Sequence, residues 1–321
     1  MAIIEVFPNT PTAIQDAVTL ANPGEVILVH KGIYYESVQI PSEKSNLRIV
    51  ANSRYSAILD GRHFLIEAFL LNNAAGVEIE GFKIKNYLST GIRIFNGKSN
   101  RVIHNKISDI NGSEDPLGIF ANNSPGNLFM KNTIEQIGSA GVGSAIRLSV
   151  VSGTWVIQNK LKHNSVHGIE VIASNHNAIV SNQISKNKGD GIMISQSDNN
   201  LLLANKLSDQ GDNGVNAQST NNYILKSKIK ENHGSGVLLA FNYNLAGFNE
   251  IKGNHQSGIA IFSDFNDIQG NKLERNDNNG VFIHAPHTAN FVFDNQLKDN
   301  NPQNIKDLGE NNNIIQNKID E

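Results

Sequence analysis

Asparagine sets the first constraint on this chain: 47 of its 321 residues, about 15%, and they recur at fixed spacing. Pairs five positions apart occur at Asn100/Asn105, Asn127/Asn132, Asn177/Asn182, Asn200/Asn205, Asn244/Asn249, Asn266/Asn271, Asn290/Asn295 and Asn312/Asn317. Ahead of most pairs stands a Gly-Ile-x-apolar motif: GIRI from Gly91, GIFA from Gly118, GIEV from Gly168, GIMI from Gly191 and GIAI from Gly258. One copy lacks the glycine and reads AIRL from Ala145. The period is 22–27 residues. Two positions after each asparagine the side chain is apolar, as at Val102, Phe129, Ile179 and Leu202, and again at Ile107, Ile134, Ile184 and Leu207. Alternation with period two marks short strands with one buried face.

Short strands in a repeat near 22 residues, with no helical pattern between them, predict a parallel β-solenoid. Successive coils would stack about 4.8 Å apart, so equivalent residues lie above one another. Stacked asparagines would then hydrogen-bond along the axis as corner ladders. Asparagine also tolerates the left-handed backbone that sharp corners need. Thr10-Pro11-Thr12 is expected to open a capping helix, with Ile14, Ala17, Val18 and Ala21 on its apolar side, closed by Asn22-Pro23-Gly24. The expectation is one all-β domain over 1–321, of about ten coils. Residues 1–45 would form the cap and first strands, 46–300 the regular coils and 301–321 the last coil.

Lys+Arg 27 against Asp+Glu 30 gives a formal charge of −3, with no block of like charge, which argues against nucleic acid or an anionic membrane as the main partner. There is no cysteine, hence no disulfide, thiol nucleophile or thiolate metal site. No apolar run reaches the roughly 18 residues of a membrane-spanning helix. MAIIEVFPNT is neither basic nor long enough to read as a signal peptide ahead of the cap helix.

The run TPTAIQDAVTLANPGEVILVHKGIYYESVQI, followed by AILDG and the Gly-Ile-x-Ile…Asn…Asn coils, resembles the right-handed parallel β-helix superfamily over essentially the whole chain. That superfamily includes pectate lyases, polygalacturonases, mannuronan epimerases and periplasmic maturation proteins of nitrous oxide reductase. The resemblance implies a right-handed coil, an acidic polysaccharide as partner, and a secreted or cell-surface location. It implies a lyase, epimerase or hydrolase, with calcium as the ion such chemistry would use; no other cofactor is evident. The epimerase Asp-Pro-His-Glu/Asp motif has its nearest counterpart at Asp115-Pro116-Leu117-Gly118, where leucine and glycine stand in place of the histidine and the acid. Absent cysteine and only 3 methionines speak against soft-metal handling.

Outward columns show where a site would lie. The x of Gly-Ile-x-Ile runs Arg93, Phe120, Arg147, Glu170, Met193 and Asn216, and the position before the glycine includes His167 and Asp190. Arg93 and Arg147 are candidate uronate ligands, because a guanidinium fork matches a carboxylate. His167, Glu170, Asp190 and Asp115 are candidate acids and bases. The competing expectation is that Arg147 and Glu170 form a surface ion pair and that His167 is a turn residue. Phe241, Tyr243, Phe262 and Phe282, with Phe265, form a second patch that would stack on sugars or join two copies of the chain. His284-Ala285-Pro286-His287 offers two histidines without a visible third metal ligand. A carbohydrate-active enzyme is the leading functional expectation, and a non-catalytic carbohydrate-binding or surface-assembly protein is the alternative.

Overall fold

The computed structural model describes residues 2–320. Two compact units make up the chain, Met1–Val166 and His167–Glu321. Each is a parallel β-solenoid in which a turn of chain places one short strand in each of three sheets. Sheet one holds strands such as Arg101–Ile103 and Leu201–Leu203, sheet two Lys106–Ile110 and Lys206–Ser208, and sheet three Thr90–Phe95 and Ile192–Ser195. Sheet one contains seven strands in each unit, so the turns number seven and seven rather than about ten in all. The early turns, through Val26–Val29 and Arg48–Ala51, lack the asparagine pair that marks a coil elsewhere in the sequence.

Register is strict, so the inward columns foreseen from the repeat are real. Ile107, Ile134 and Leu161 stack in the first unit; Ile184, Leu207, Ile229, Ile251 and Leu273 stack in the second. All are buried. Each such side chain contributes roughly 1.5–3 kcal/mol on leaving water. Close approach favours glycine at the start of most sheet-three strands: a Cβ on Gly118 would sit 2.5 Å from the Ala145 carbonyl oxygen and 2.5 Å from Ile134 Cγ2.

The ladders form as the spacing implies. Asn249 donates from its backbone N–H (3.0 Å) and from Nδ2 (2.9 Å) to Oδ1 of Asn271, and its Nδ2 also reaches the Ile224 carbonyl at 2.8 Å. Asn271 repeats the pattern on Asn295, and Asn295 on Asn317. In the first unit Asn105 bonds Asn132, which bonds Asn159. A third ladder runs through Asn187, Gln210, Asn232, Asn254, Asn276 and Asn300 at the corner that leads into sheet three. The left-handed corner residue is not the ladder asparagine but the one before it, and its chemistry varies freely: Lys131, Ala204 and Phe248 all have φ near 50–57°. The ladder holds that corner against a left-handed cost of about 1 kcal/mol.

The first turn is capped by the helix Ala13–Leu20, which buries Ala13, Ile14, Ala17 and Val18. Its leading N–H groups are met by Glu36 (Ile14 at 3.0 Å, Gln15 at 2.8 Å) rather than by Thr12, which makes no side-chain cap. Burial pushes the Glu36 carboxyl up despite these two bonds.

Substituting Asn271→Ala removes one acceptor for two Asn249 donors and one donor to the Ala246 carbonyl. Urea denaturation is expected to show a loss of about 2–4 kcal/mol, whereas Asn317→Ala at the half-exposed last turn should cost below about 1 kcal/mol.

Candidate functional site

In the first unit, sheet three stacks Arg93 on Phe120 and Phe120 on Arg147. Each arginine keeps an acidic partner. Arg93 Nε lies 3.1 Å from Oε2 of Glu67, one terminal nitrogen donates to Ser89 Oγ at 3.2 Å, and the guanidinium sits 5.7 Å from the Phe120 ring centre. The Arg93–Glu67 pair is close but misaligned: Arg93 Nε and Glu67 Oε2 are both buried and neither has a hydrogen bond. Burial pushes the Glu67 carboxyl up, with Arg93 opposing it. Arg147 is ion-paired with Asp115, which reaches it from the segment between Lys106–Ile110 and Leu117–Asn122. Glu67 was not among the residues expected from sequence. It pairs in register with Thr90, so aligning EAFLLN beneath TGIRIF exposes it.

In the second unit, His167 and Asp190 meet. The Asp190 backbone N–H donates to His167 Nδ1 at 3.0 Å, and that nitrogen is 3.7 Å from Asp190 Oδ2. The buried Asp190 carboxylate accepts the Asn213 backbone N–H (3.0 Å) and Nδ2 (2.9 Å) on Oδ1, and Asn216 Nδ2 (3.1 Å) on Oδ2. Asp212 stands beside this cluster; burial and the Asp190 charge raise its pKa. Glu170 is buried and stacks on Met193. As an acceptor from the Asp190 N–H, His167 Nδ1 has its lone pair engaged.

The aromatic patch is assembled at one corner of the second unit. Phe241, Tyr243, Phe262 and Phe265 are exposed, and Tyr243 and Phe265 stack 5.3 Å apart. Phe282 is half-buried, with His284 3.9 Å away and Lys306 over its ring at 5.2 Å. His284 stacks on Phe262 at 3.6 Å, and burial holds its pKa down. His287 Nδ1 lies 3.2 Å from Asp264 Oδ1, so this histidine is held by a carboxylate. On sheet one of the same unit, Leu245, Asp267 and Phe291 share an outward column. Asp267 Oδ1 is buried without a hydrogen bond, and burial pushes its carboxyl up. Among the described residues, no group of three or more His, Cys, Asp or Glu is placed to hold a metal ion. Nor is any helix among them long and apolar enough to cross a membrane.

The family profile described as "Right handed beta helix region" matches residues 32–182, 142–263 and 179–319. The chain belongs to this family. As a right-handed β-helix it is similar in structure to the A-module of a mannuronan C-5 epimerase from Azotobacter vinelandii: 12% identity, 95% of each chain covered, TM-score 0.73. A periplasmic alginate epimerase matches at 16% identity, over 100% of this chain and 84% of the other, with TM-score 0.62. The catalytic unit of an alpha-1,3-glucanase from Streptomyces thermodiastaticus matches at 10% identity, over 100% and 69%, with TM-score 0.69. These likenesses carry the β-helix fold alone. Among curated proteins, none matches this chain.

Asp267 yields a pH dependence with a definite sign. Its native pKa is raised, so the ionised form costs stability, and that cost grows as pH climbs through the raised value. Stability of the Asp267→Asn variant relative to wild type should therefore increase from about pH 4 to pH 7. Parallel urea curves at the two pH values check it; a difference that does not change with pH removes the raised pKa.

Proposed function

We propose that this β-helix is a carbohydrate-active protein that acts on an acidic polysaccharide, with the sheet-three column of its first unit as the subsite for uronate groups. The reading rests on one observation: Arg93 Nε and Glu67 Oε2 are buried side by side, ion-paired at 3.1 Å but without an aligned hydrogen bond. The exposed part of the Arg93 guanidinium would offer an incoming carboxylate its terminal N–H groups, in the forked geometry an arginine prefers, while Nε stays beside Glu67. Glu67, its carboxyl pushed up by burial, would then exchange a proton at the carbon beside that carboxylate, with Arg93 offsetting the charge that develops. Such a pair suits elimination or C-5 epimerisation more directly than hydrolysis, which needs two carboxyls across a glycosidic bond. Phe120 offers an apolar face to a sugar ring. Arg147 with Asp115 would hold a neighbouring residue of the polymer. The likeness in fold to a mannuronan C-5 epimerase and a periplasmic alginate epimerase supports the ligand class and, through the second, a location outside the cytoplasm.

A second reading, binding without turnover, is favoured by the second unit. The Asp190 carboxylate already accepts three N–H groups, and His167 Nδ1 accepts a fourth. In that reading His167, Glu170 and Asp190 order the coils and move no protons, while Phe241, Tyr243, Phe262 and Phe265 stack on sugar rings.

Alginate, polygalacturonate, hyaluronan and a heparan-type polymer, each with and without calcium, decide between the two. The readouts are absorbance of unsaturated product, reducing ends, and uronate composition by NMR. Turnover of one polymer is expected, with kcat/KM reduced about a hundredfold or more by Arg93→Ala. Glu67→Gln should remove turnover while polymer still raises Tm. A Tm rise without product from any polymer establishes the binding reading, and neither response overturns both.

A further inference from the structure

Sheet two of the His167–Glu321 unit carries a charge pattern that the functional reading leaves unused. Its outward side chains form two columns. One includes Lys206, Lys228, Lys272 and Lys318, and the other Lys230, Lys252 and Lys298. Three acids stand among these seven lysines: Glu250, Glu274 and Asp320. The rest of the chain keeps 20 basic against 27 acidic residues, so the solenoid concentrates positive charge on one face of an acidic protein. Lys228 and Lys272 are tied to Glu250 and Glu274 at 2.6 and 2.7 Å. Among the described residues, Lys206, Lys252 and Lys298 have no carboxylate within ion-pair distance.

The fold does not need lysine there. Gln183, Ser185, Ser208 and Gln296 fill the same columns on other turns. Apart from Lys318, on the end strand Lys318–Asp320, these lysines stand on strands paired on both sides, so they do not guard an exposed edge. Lys230 and Lys252 are direct register neighbours, and like charges on adjacent coils repel. Lysine accumulates on this sheet against a cost.

We propose that this face is a docking surface for a carboxylated polysaccharide lying along the stack of coils. It rests on the functional reading for its ligand class only; the site is separate from Arg93 and Arg147. A linear polyanion meets lysines on turn after turn, whereas a small anion would touch one or two. Among the outward residues of these strands there is no aromatic side chain on which a nucleic-acid base would stack, which favours a polysaccharide over single-stranded nucleic acid. The acidic remainder of the surface disfavours a broad duplex.

Alginate binding by the full chain, measured by fluorescence anisotropy across a salt series, tests the proposal in two backgrounds, wild type and Arg93→Ala/Arg147→Ala. In both, Lys206→Gln/Lys252→Gln/Lys298→Gln should weaken binding at least tenfold and flatten the dependence on salt, because fewer counterions are exchanged. Uncharged polar residues already occupy these columns, glutamine in that of Lys206 and serine in that of Lys252 and Lys298, so an unchanged Tm confirms an intact fold. Loss of binding in the double-arginine background upholds the lysine face even if no polymer is ever turned over. Unaltered affinity and salt slope in the triple variant overturn the proposal, as does absence of any alginate binding. Duplex DNA bound more tightly than alginate at equal salt overturns the choice of ligand.

Discussion

The asparagine ladder is the interaction on which the rest of each unit depends. A parallel coil has corners, and every corner leaves a buried backbone N–H without a partner inside its own turn. The carboxamide resolves this in one step. Its oxygen accepts the N–H of the equivalent residue one turn earlier, while its Nδ2 donates back to a carbonyl such as that of Ile224 or Ala246. This bond runs along the axis, so it also enforces register: a slip of one residue would break it and turn every Ile107-type side chain outward. The same bonds sustain the left-handed residue that precedes each ladder position. Positions as different as Lys131 and Phe248 accept φ near +55° because their successors are held.

Once register is fixed, the inner columns are spent on packing and the ladders on corners, so function is confined to what faces outward. The two units use that freedom differently. Around Asp190 a carboxylate has been drawn into a buried network in which it accepts from Asn213 and Asn216 while His167 accepts its N–H, although Asn216 Oδ1 stays buried without a hydrogen bond. Bonds of this kind order a structure. Around Arg93 the bonding is sparser. An arginine and a glutamate are buried within reach of one another without aligning, and such unsatisfied groups are costly unless something else completes them. On the proposed reading, that contrast favours the Arg93–Glu67 pair as the place for a ligand and the Asp190 cluster as framework.

Much of this was legible in the residues themselves. The Asn100/Asn105-type pairs, the alternating apolar positions and the cap helix led directly to the solenoid, its two asparagine ladders and its outward columns. The third ladder was equally visible, five positions beyond the second asparagine of each pair, at Asn187, Gln210 and Asn232, but glutamine interrupts it and the eye follows identical letters. The early turns were legible from their apolar alternation instead: Ile27 and Ile49 pack in the same inner column without an asparagine pair, and the parallel ladder between their strands holds the register. Glu67 was missed because its turn lacks the glycine on which the alignment was anchored. Helix capping by Glu36, from 22 residues downstream, is a tertiary contact that no local pattern announces.

Charge shows most clearly how a solenoid conceals information. Net charge and charge runs describe a chain whose neighbours in sequence are neighbours in space, and here they are not. Equivalent positions on successive turns of sheet two are 22–24 residues apart, so lysines that stack in one column are dispersed along the chain and the sequence reads as evenly mixed. Stacking at about 4.8 Å turns that dispersed set into a stripe. Mixed acids elsewhere keep the total at −3 and prevent the composition from revealing it. The same folding arithmetic applies to Arg93 and Arg147, 54 positions apart in the chain but separated by one side chain, Phe120, on the sheet. In a repeat of this kind the unit of functional reading is the column, because residues one period apart share a field, a ligand and a cost.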